Sequence, residues 1–266
     1  MKASYLLVHA LLLTVLNASL DARSPETRAW SVNGVEREAL VYVPSTAEKE
    51  AWPLVLVFHG HGGSMQQAAR SLAVHSAWPE ACVVYLQGLP TPGQLTDPEG
   101  RRSGWQKGPG DQQDRDLSFV DRVLAELPAR HPIDARRVYA TGHSNGGSFT
   151  YLLWATRPSV FAAYAPSAAV APRTAGPLAP APVLHIAGRN DTLVKFAWQE
   201  RMIERLRVTQ RCGPGEPQGT GVVIHRNAQG GPPVATYLHD GGHRYTSEAT
   251  PLIVDFFKQH SRPASP

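Results

Sequence analysis

The chain has 266 residues, 42 % of them apolar, and carries 26 basic against 22 acidic side chains for a net charge of +4. That length and apolar content suit one α/β domain with a sizeable core. The basic residues are scattered, with Arg101-Arg102 and Arg136-Arg137 the only adjacent pairs, so the charge reads as a solvated surface and a nucleic-acid partner is not expected.

Residues 1–16 (MKASYLLVHALLLTVL) carry one positive charge and then an apolar run, followed by the small and polar residues NASLDA at 17–22. The run is short for a bilayer span. It reads as a secretory signal peptide, cut after Ala22 or close to Ala18, with an uncleaved anchor as the alternative. Residues 23–266 are then one catalytic domain, exported, without a membrane partner once the signal is removed. The oligomeric state is left open.

Apolar residues alternate on either side of Asn33-Gly34, a dipeptide that favours a tight hairpin turn, so residues 27–44 are expected to form two strands. The run PLVLVF at 53–58 has the continuous apolar character of a strand buried on both faces. HGHGG follows at 59–63, then a helix over 65–77 and a strand over 82–86. Residues 87–112, rich in Pro, Gly and charge and containing Trp105, are the longest irregular stretch, a length usually kept for function. Leu117, Val120, Val123, Leu124 and Leu127 mark a helix over 114–127. Strands are expected at 136–141, 161–165, 182–187, 221–225 and 234–238, and helices at 196–208 and 246–259. Strands alternating with helices imply a mostly parallel sheet covered on both faces, with its site at the carboxyl ends of the strands. Cys82 begins a core strand and Cys212 lies in a Gly/Pro loop; whether they pair is open.

The segment GHSNG at 142–146 lies between an apolar strand and an apolar helix. It fits the G-x-S-x-G elbow, in which a sharp turn presents a serine at a helix N-terminus. A serine hydroxyl needs a base to act as a nucleophile, and the base needs an acid to orient it. In the order Ser, acid, His, the chain offers Ser144, then Asp191 directly after a strand, then His243 between the last strand and the last helix. Asp240 is the second choice of acid. His143 is expected to point away from bound substrate, and His185, His225 and His239 lie in or at the ends of strands. Two backbone N–H donors for an oxyanion are expected, one from Asn145 and one from His61 or Gly62. With no carboxylate close in sequence, a metal site is the weaker reading of the two histidines of HGHGG.

The segments PLVLVFHGHGGS (53–64), SGWQK (103–107), RDLSFV (115–120), IDARRVYATGHSNGG (133–147) and GGH (241–243) resemble, in family order, the secreted α/β-hydrolases that include polyhydroxybutyrate depolymerases and feruloyl or acetylxylan esterases. The resemblance implies an α/β-hydrolase fold, with Ser144 as nucleophile, Asp191 as acid and His243 as base. It also implies that Trp105 and its loop line the acyl pocket, and that no cofactor or metal is needed. Two departures lie on the substrate side. His61 stands where the family often has cysteine, and Arg244-Tyr245 stands where it often has Trp-Pro. The expectation is a secreted serine esterase acting on small or oligomeric feruloyl, acetyl or hydroxyalkanoate esters. An acyltransferase with the same triad, or a secreted binding protein with a dead site, are the alternatives.

Overall fold

The structure is a computed structural model that describes residues 24–44, 51–219 and 221–263. The signal-peptide reading of residues 1–22 lies outside them.

The strands are β1 Glu26–Val32, β2 Val35–Tyr42, β3 Trp52–Phe58, β4 Cys82–Leu86, the two-residue β5 Leu89–Pro90 and β6 Ser103–Gly104, β7 Ile133–His143, β8 Ala163–Ser167, β9 Val183–Gly188, β10 Cys212–Gln218, β11 Val222–Asn227 and β12 Val234–His239. The helices are α1 Met65–Leu72, α2 Val74–Ala77, α3 Arg115–Glu126, α4 Asn145–Thr156, α5 Phe196–Thr209 and α6 Ala249–Lys258. Ten strands form one sheet in the order β1-β2-β4-β3-β7-β8-β9-β12-β11-β10. Its centre, β4 through β12, is parallel, and antiparallel hairpins close both edges. β5 and β6 pair separately.

Alternation within β3 divides the core. Leu54, Leu56 and Phe58 face the apolar sides of α3, α4 and α5, while Val55 and Val57 face α1 and α6. Both faces of the central strands are therefore dry, which is why they read as unbroken apolar runs. β1 and β2 meet at Asn33 and Gly34, both at positive φ, as the two-residue turn requires.

Several elements differ from the sequence expectation. The helix expected over 65–77 breaks at Ala73, whose φ of 43° ends α1 and starts α2. The strand expected at 161–165 pairs two residues later, as β8. The Gly/Pro segment at Cys212 is an edge strand, β10, laddered to β11. Main-chain pairing at an edge does not need apolar side chains and tolerates proline. Cys82 in β4 and Cys212 in β10 are seven strands apart in the sheet, about 30 Å at the usual strand spacing, so they do not form a disulfide with each other.

The long stretch 87–112 is anchored from within. Arg37 and Asp116, 1 % and 0 % exposed, form a buried ion pair at 2.8 Å. Arg37 also donates to the Gln87 and Arg115 carbonyls, and the second Asp116 oxygen accepts from the Gln106 N–H at 2.8 Å. Asp116, in the first turn of α3, is thus the post that ties loop, β2 and α3 together.

Candidate active site

Ser144 sits between β7 and α4 at φ 56° and ψ −118°, a conformation disfavoured for any residue with a side chain. The surroundings enforce it. The Ser144 N–H donates to the Ser167 carbonyl at 2.8 Å, and the Ser148 N–H returns to the Ser144 carbonyl at 2.9 Å. The flanking glycines let β7, β3 and α4 come together. A Cβ on Gly146 would overlap the Phe58 carbonyl oxygen, and one on Gly142 would lie 2.6 Å from the Gly146 carbonyl.

The carboxyl ends of β9 and β12 bring the other two predicted residues to the serine. His243 Nε2 lies 2.8 Å from Ser144 Oγ, and His243 Nδ1 lies 2.8 Å from Asp191 Oδ2. Asp191 is buried and its other oxygen accepts the N–H groups of Leu193 and Val194 at 2.9 and 3.0 Å. Asp240, the second choice of acid, has a side chain 95 % exposed and faces Arg189 at 3.8 Å instead. Among the other histidines, His225 binds the Gly213 carbonyl and His239 accepts the Gly241 N–H.

Behind the acid lies a buried polar chain that the sequence did not reveal. The Gln199 amide nitrogen donates to Asp191 Oδ2 at 3.0 Å and to the Val194 carbonyl at 2.7 Å. Its oxygen therefore faces His185 Nε2, 3.4 Å away, and His185 Nδ1 lies 2.7 Å from the Tyr151 hydroxyl. With Gln199 oriented by its two acceptors, His185 must carry its proton on Nε2 and accept from Tyr151 on Nδ1. Burial pushes His185 down to about 4 and raises Tyr151, so both are neutral at pH 7. Only the eight-residue offset between Asp191 and Gln199, from a β9 loop into α5, hinted at the contact, and that offset has no special meaning without the fold.

His143 does not point away, as expected from sequence. Its ring lies 5.2 Å from that of His243 and edge-on to Tyr245, at the cleft wall. It also hydrogen-bonds the His243 main chain, and its Nδ1 lies 3.2 Å from Ser167 Oγ. Burial lowers it to about 4, so a neutral ring braces the His243 loop.

Of the three residues expected to supply N–H donors, Gly62 is corrected. Its N–H is already given to the Ser103 carbonyl at 2.7 Å, because β6 runs against that loop. The N–H groups of His61 and Asn145 have no hydrogen-bond partner among the described residues, the latter as the first residue of α4. The His61 ring pins the 91–96 loop through the Thr91 carbonyl at 2.9 Å and Thr96 Oγ1 at 3.1 Å.

Trp105 is also corrected. It is 0 % exposed and stacks among Phe58 and Phe149, with its indole N–H on the His59 carbonyl at 2.9 Å. Asn145 clamps its main chain from both sides, at 2.7 and 3.2 Å. Trp105 therefore fastens its loop to the elbow and does not line the pocket; Lys107, two residues on, does. The cleft over Ser144 has a volume of about 1430 Å³.

Residues 38–196 match the family described as Esterase PHB depolymerase. "Putative esterase NocK" of Nocardia uniformis subsp. tsuyamanensis is 34 % identical over 157 residues, which are 55 % of this chain and 42 % of NocK, so the chain spans less than half of that relative. Feruloyl esterase D of Neurospora crassa is 26 % identical over 235 residues, 83 % of this chain and 78 % of the relative. Among solved structures, an acetyl xylan esterase from Aspergillus awamori superposes with a TM-score of 0.64 at 12 % identity, over 88 % of this chain and 99 % of that one. A thermostable esterase does so with a TM-score of 0.65 at 17 % identity, over 90 % and 64 %. These structural likenesses establish the α/β-hydrolase fold.

Proposed function

This chain belongs to the esterase PHB depolymerase family and is a carboxylic ester hydrolase, and from that premise we propose that it works through a Ser144-His243-Asp191 triad and an acyl-enzyme. The observation that carries the proposal is the unbroken path from Ser144 Oγ through His243 to Asp191, 2.8 Å at each step, beginning on a strained serine. His243 Nε2 takes the hydroxyl proton as Oγ attacks the ester carbonyl carbon. Asp191 holds the ring with Nε2 free to accept, and stabilises the imidazolium that forms. The free N–H groups of His61 and Asn145 receive the oxyanion, and loss of one such donor costs on the order of 10²–10³ in rate.

The tetrahedral adduct collapses by breaking the bond to the alcohol, whose oxygen takes the proton from His243. Water then gives a proton to the same nitrogen and attacks the acyl carbon; the second adduct breaks its bond to Oγ, which takes that proton back from His243, and the acid and free Ser144 are released. We place the substrates among feruloyl, acetyl and hydroxyalkanoate esters, following the family and the feruloyl esterase relatives, and export follows from the sequence of residues 1–22.

The test is turnover of p-nitrophenyl acetate, p-nitrophenyl butyrate and ethyl ferulate by wild type and by Ser144→Ala, with a fluorophosphonate as label. Turnover and labelling by wild type alone support the triad. Turnover that survives Ser144→Ala refutes it. Added alcohol acceptors separate hydrolysis from acyl transfer by their products.

A further inference from the structure

The cleft over Ser144 is lined by Lys107, Arg173, Arg201, Arg205 and Arg244, and by no aspartate or glutamate. These cations come from four places in the chain: the loop after β6, the loop after β8, helix α5, and the residue next to His243. Trp198, Arg201, Met202 and Arg205 all line the cleft. Their offsets of three, four and seven residues put them on one face of α5. Met202 is buried and fixes that face inward, so helix geometry sets the two arginines, both exposed, beside the cleft.

Among the described residues, none of the five has a carboxylate within ion-pair distance. Of the acids on the surrounding elements, Glu204 on α5 pairs with Arg207 at 2.8 Å. Asp191 is buried behind His243, and Asp97 accepts the Arg102 N–H at 2.8 Å. A neutral ester would leave this concentration of one charge sign unused. Guanidinium groups on a fixed helical face are suited to bind a carboxylate through paired N–H donors.

Resting on the triad reading above, we propose that the site selects anionic esters: substrates in which the acyl or the alcohol part carries a carboxylate, held by Arg201 and Arg205 while Ser144 attacks the ester. The cleft is larger than the roughly 300–1,000 Å³ usual for a small ligand, which leaves room for an ester unit and a charged neighbour together. Like charge around the mouth also raises the local concentration of anions, an effect that salt screens within about 10 Å.

Two matched pairs test the proposal and locate the charge. The 4-nitrophenyl half-ester of glutaric acid against its terminal amide reports on the acyl side, and 3-acetoxybutyrate against 3-acetoxybutyramide on the alcohol side. The expected result is a kcat/KM ratio of about tenfold or more in favour of the anion in at least one pair, carried by KM. The ratio should fall severalfold between about 20 and about 500 mM NaCl. Arg201→Gln/Arg205→Gln should bring it close to unity, while Arg122→Gln, an exposed α3 arginine outside the cleft, should keep it.

Because each ratio is taken within one protein, a general change in activity cancels. If the double variant turns over neither member, Arg201→Gln is measured alone. Ratios near unity in both pairs, or a ratio that survives loss of the arginines, overturn the proposal. Failure of wild type to hydrolyse any of the four esters while it turns over p-nitrophenyl acetate overturns the proposal alone; hydrolysis that survives Ser144→Ala overturns the triad reading and the proposal with it.

Discussion

Gln199→Leu isolates the support behind the acid. Gln199 is 0 % exposed, and its amide both donates to Asp191 Oδ2 at 3.0 Å and accepts from His185. Leucine fills much the same space but offers neither group. Loss of a hydrogen bond to an ionised carboxylate costs about 1.5–3 kcal/mol, and a stranded buried N–H on His185 about 1–3 kcal/mol more. The variant should therefore be less stable by about 2.5–6 kcal/mol in urea unfolding. In His185→Leu/Gln199→Leu the stranded donor is gone, so the pair should be less than additive by about 1–3 kcal/mol. Asp191 keeps the Leu193 and Val194 N–H groups, so orientation of His243 is weakened rather than abolished. A fall in kcat of about tenfold on p-nitrophenyl butyrate, with KM little changed, is expected. Stability within about 1 kcal/mol of wild type together with an unchanged kcat would refute the account, since no buried bond to the acid could then have been lost.

Acid should destabilise the fold in a defined window. Buried His59 and His185 are each lowered to about 4 from the ordinary 6.5. The unfolded chain takes up these protons first, so stability is intact above pH 6.5 and drains away as pH falls toward 4, by up to about 3 kcal/mol per histidine. The urea midpoint should be lower at pH 5 than at pH 7.5; an equal or higher midpoint at pH 5 contradicts the assignment. Asp116→Ala leaves Arg37 as an uncompensated buried charge and should cost about 3–5 kcal/mol in the same assay. A loss below about 1 kcal/mol there would mean that the 87–112 loop does not depend on that pair.

The parts of this protein legible in its sequence are those set by neighbours along the chain. Asn33-Gly34 makes its turn because the two-residue hairpin needs positive φ at both positions. β3 reads as doubly buried because every residue of its run is apolar. The elbow reads from five residues, because its glycines stand where β3 and α4 leave no space for a Cβ. The order Ser144, Asp191, His243 was readable because each follows a recognisable strand.

Tertiary structure decided what depends on which surfaces meet. Trp105 looked like a pocket residue and is a core residue, because Phe58 and Phe149 close over it from other elements. Gly62 loses its N–H to Ser103, forty-one residues away along the chain. Ala73 breaks a helix that composition would continue, and β10 forms from Gly and Pro because a sheet edge offers it a backbone ladder. Tyr151, His185 and Gln199 become one chain only when α4, β9 and α5 pack together. Periodicity and turn chemistry act over a few residues and leave their mark in the sequence. Hydrogen-bond partners and the charge of a cleft are set by chain segments whose proximity no local pattern encodes.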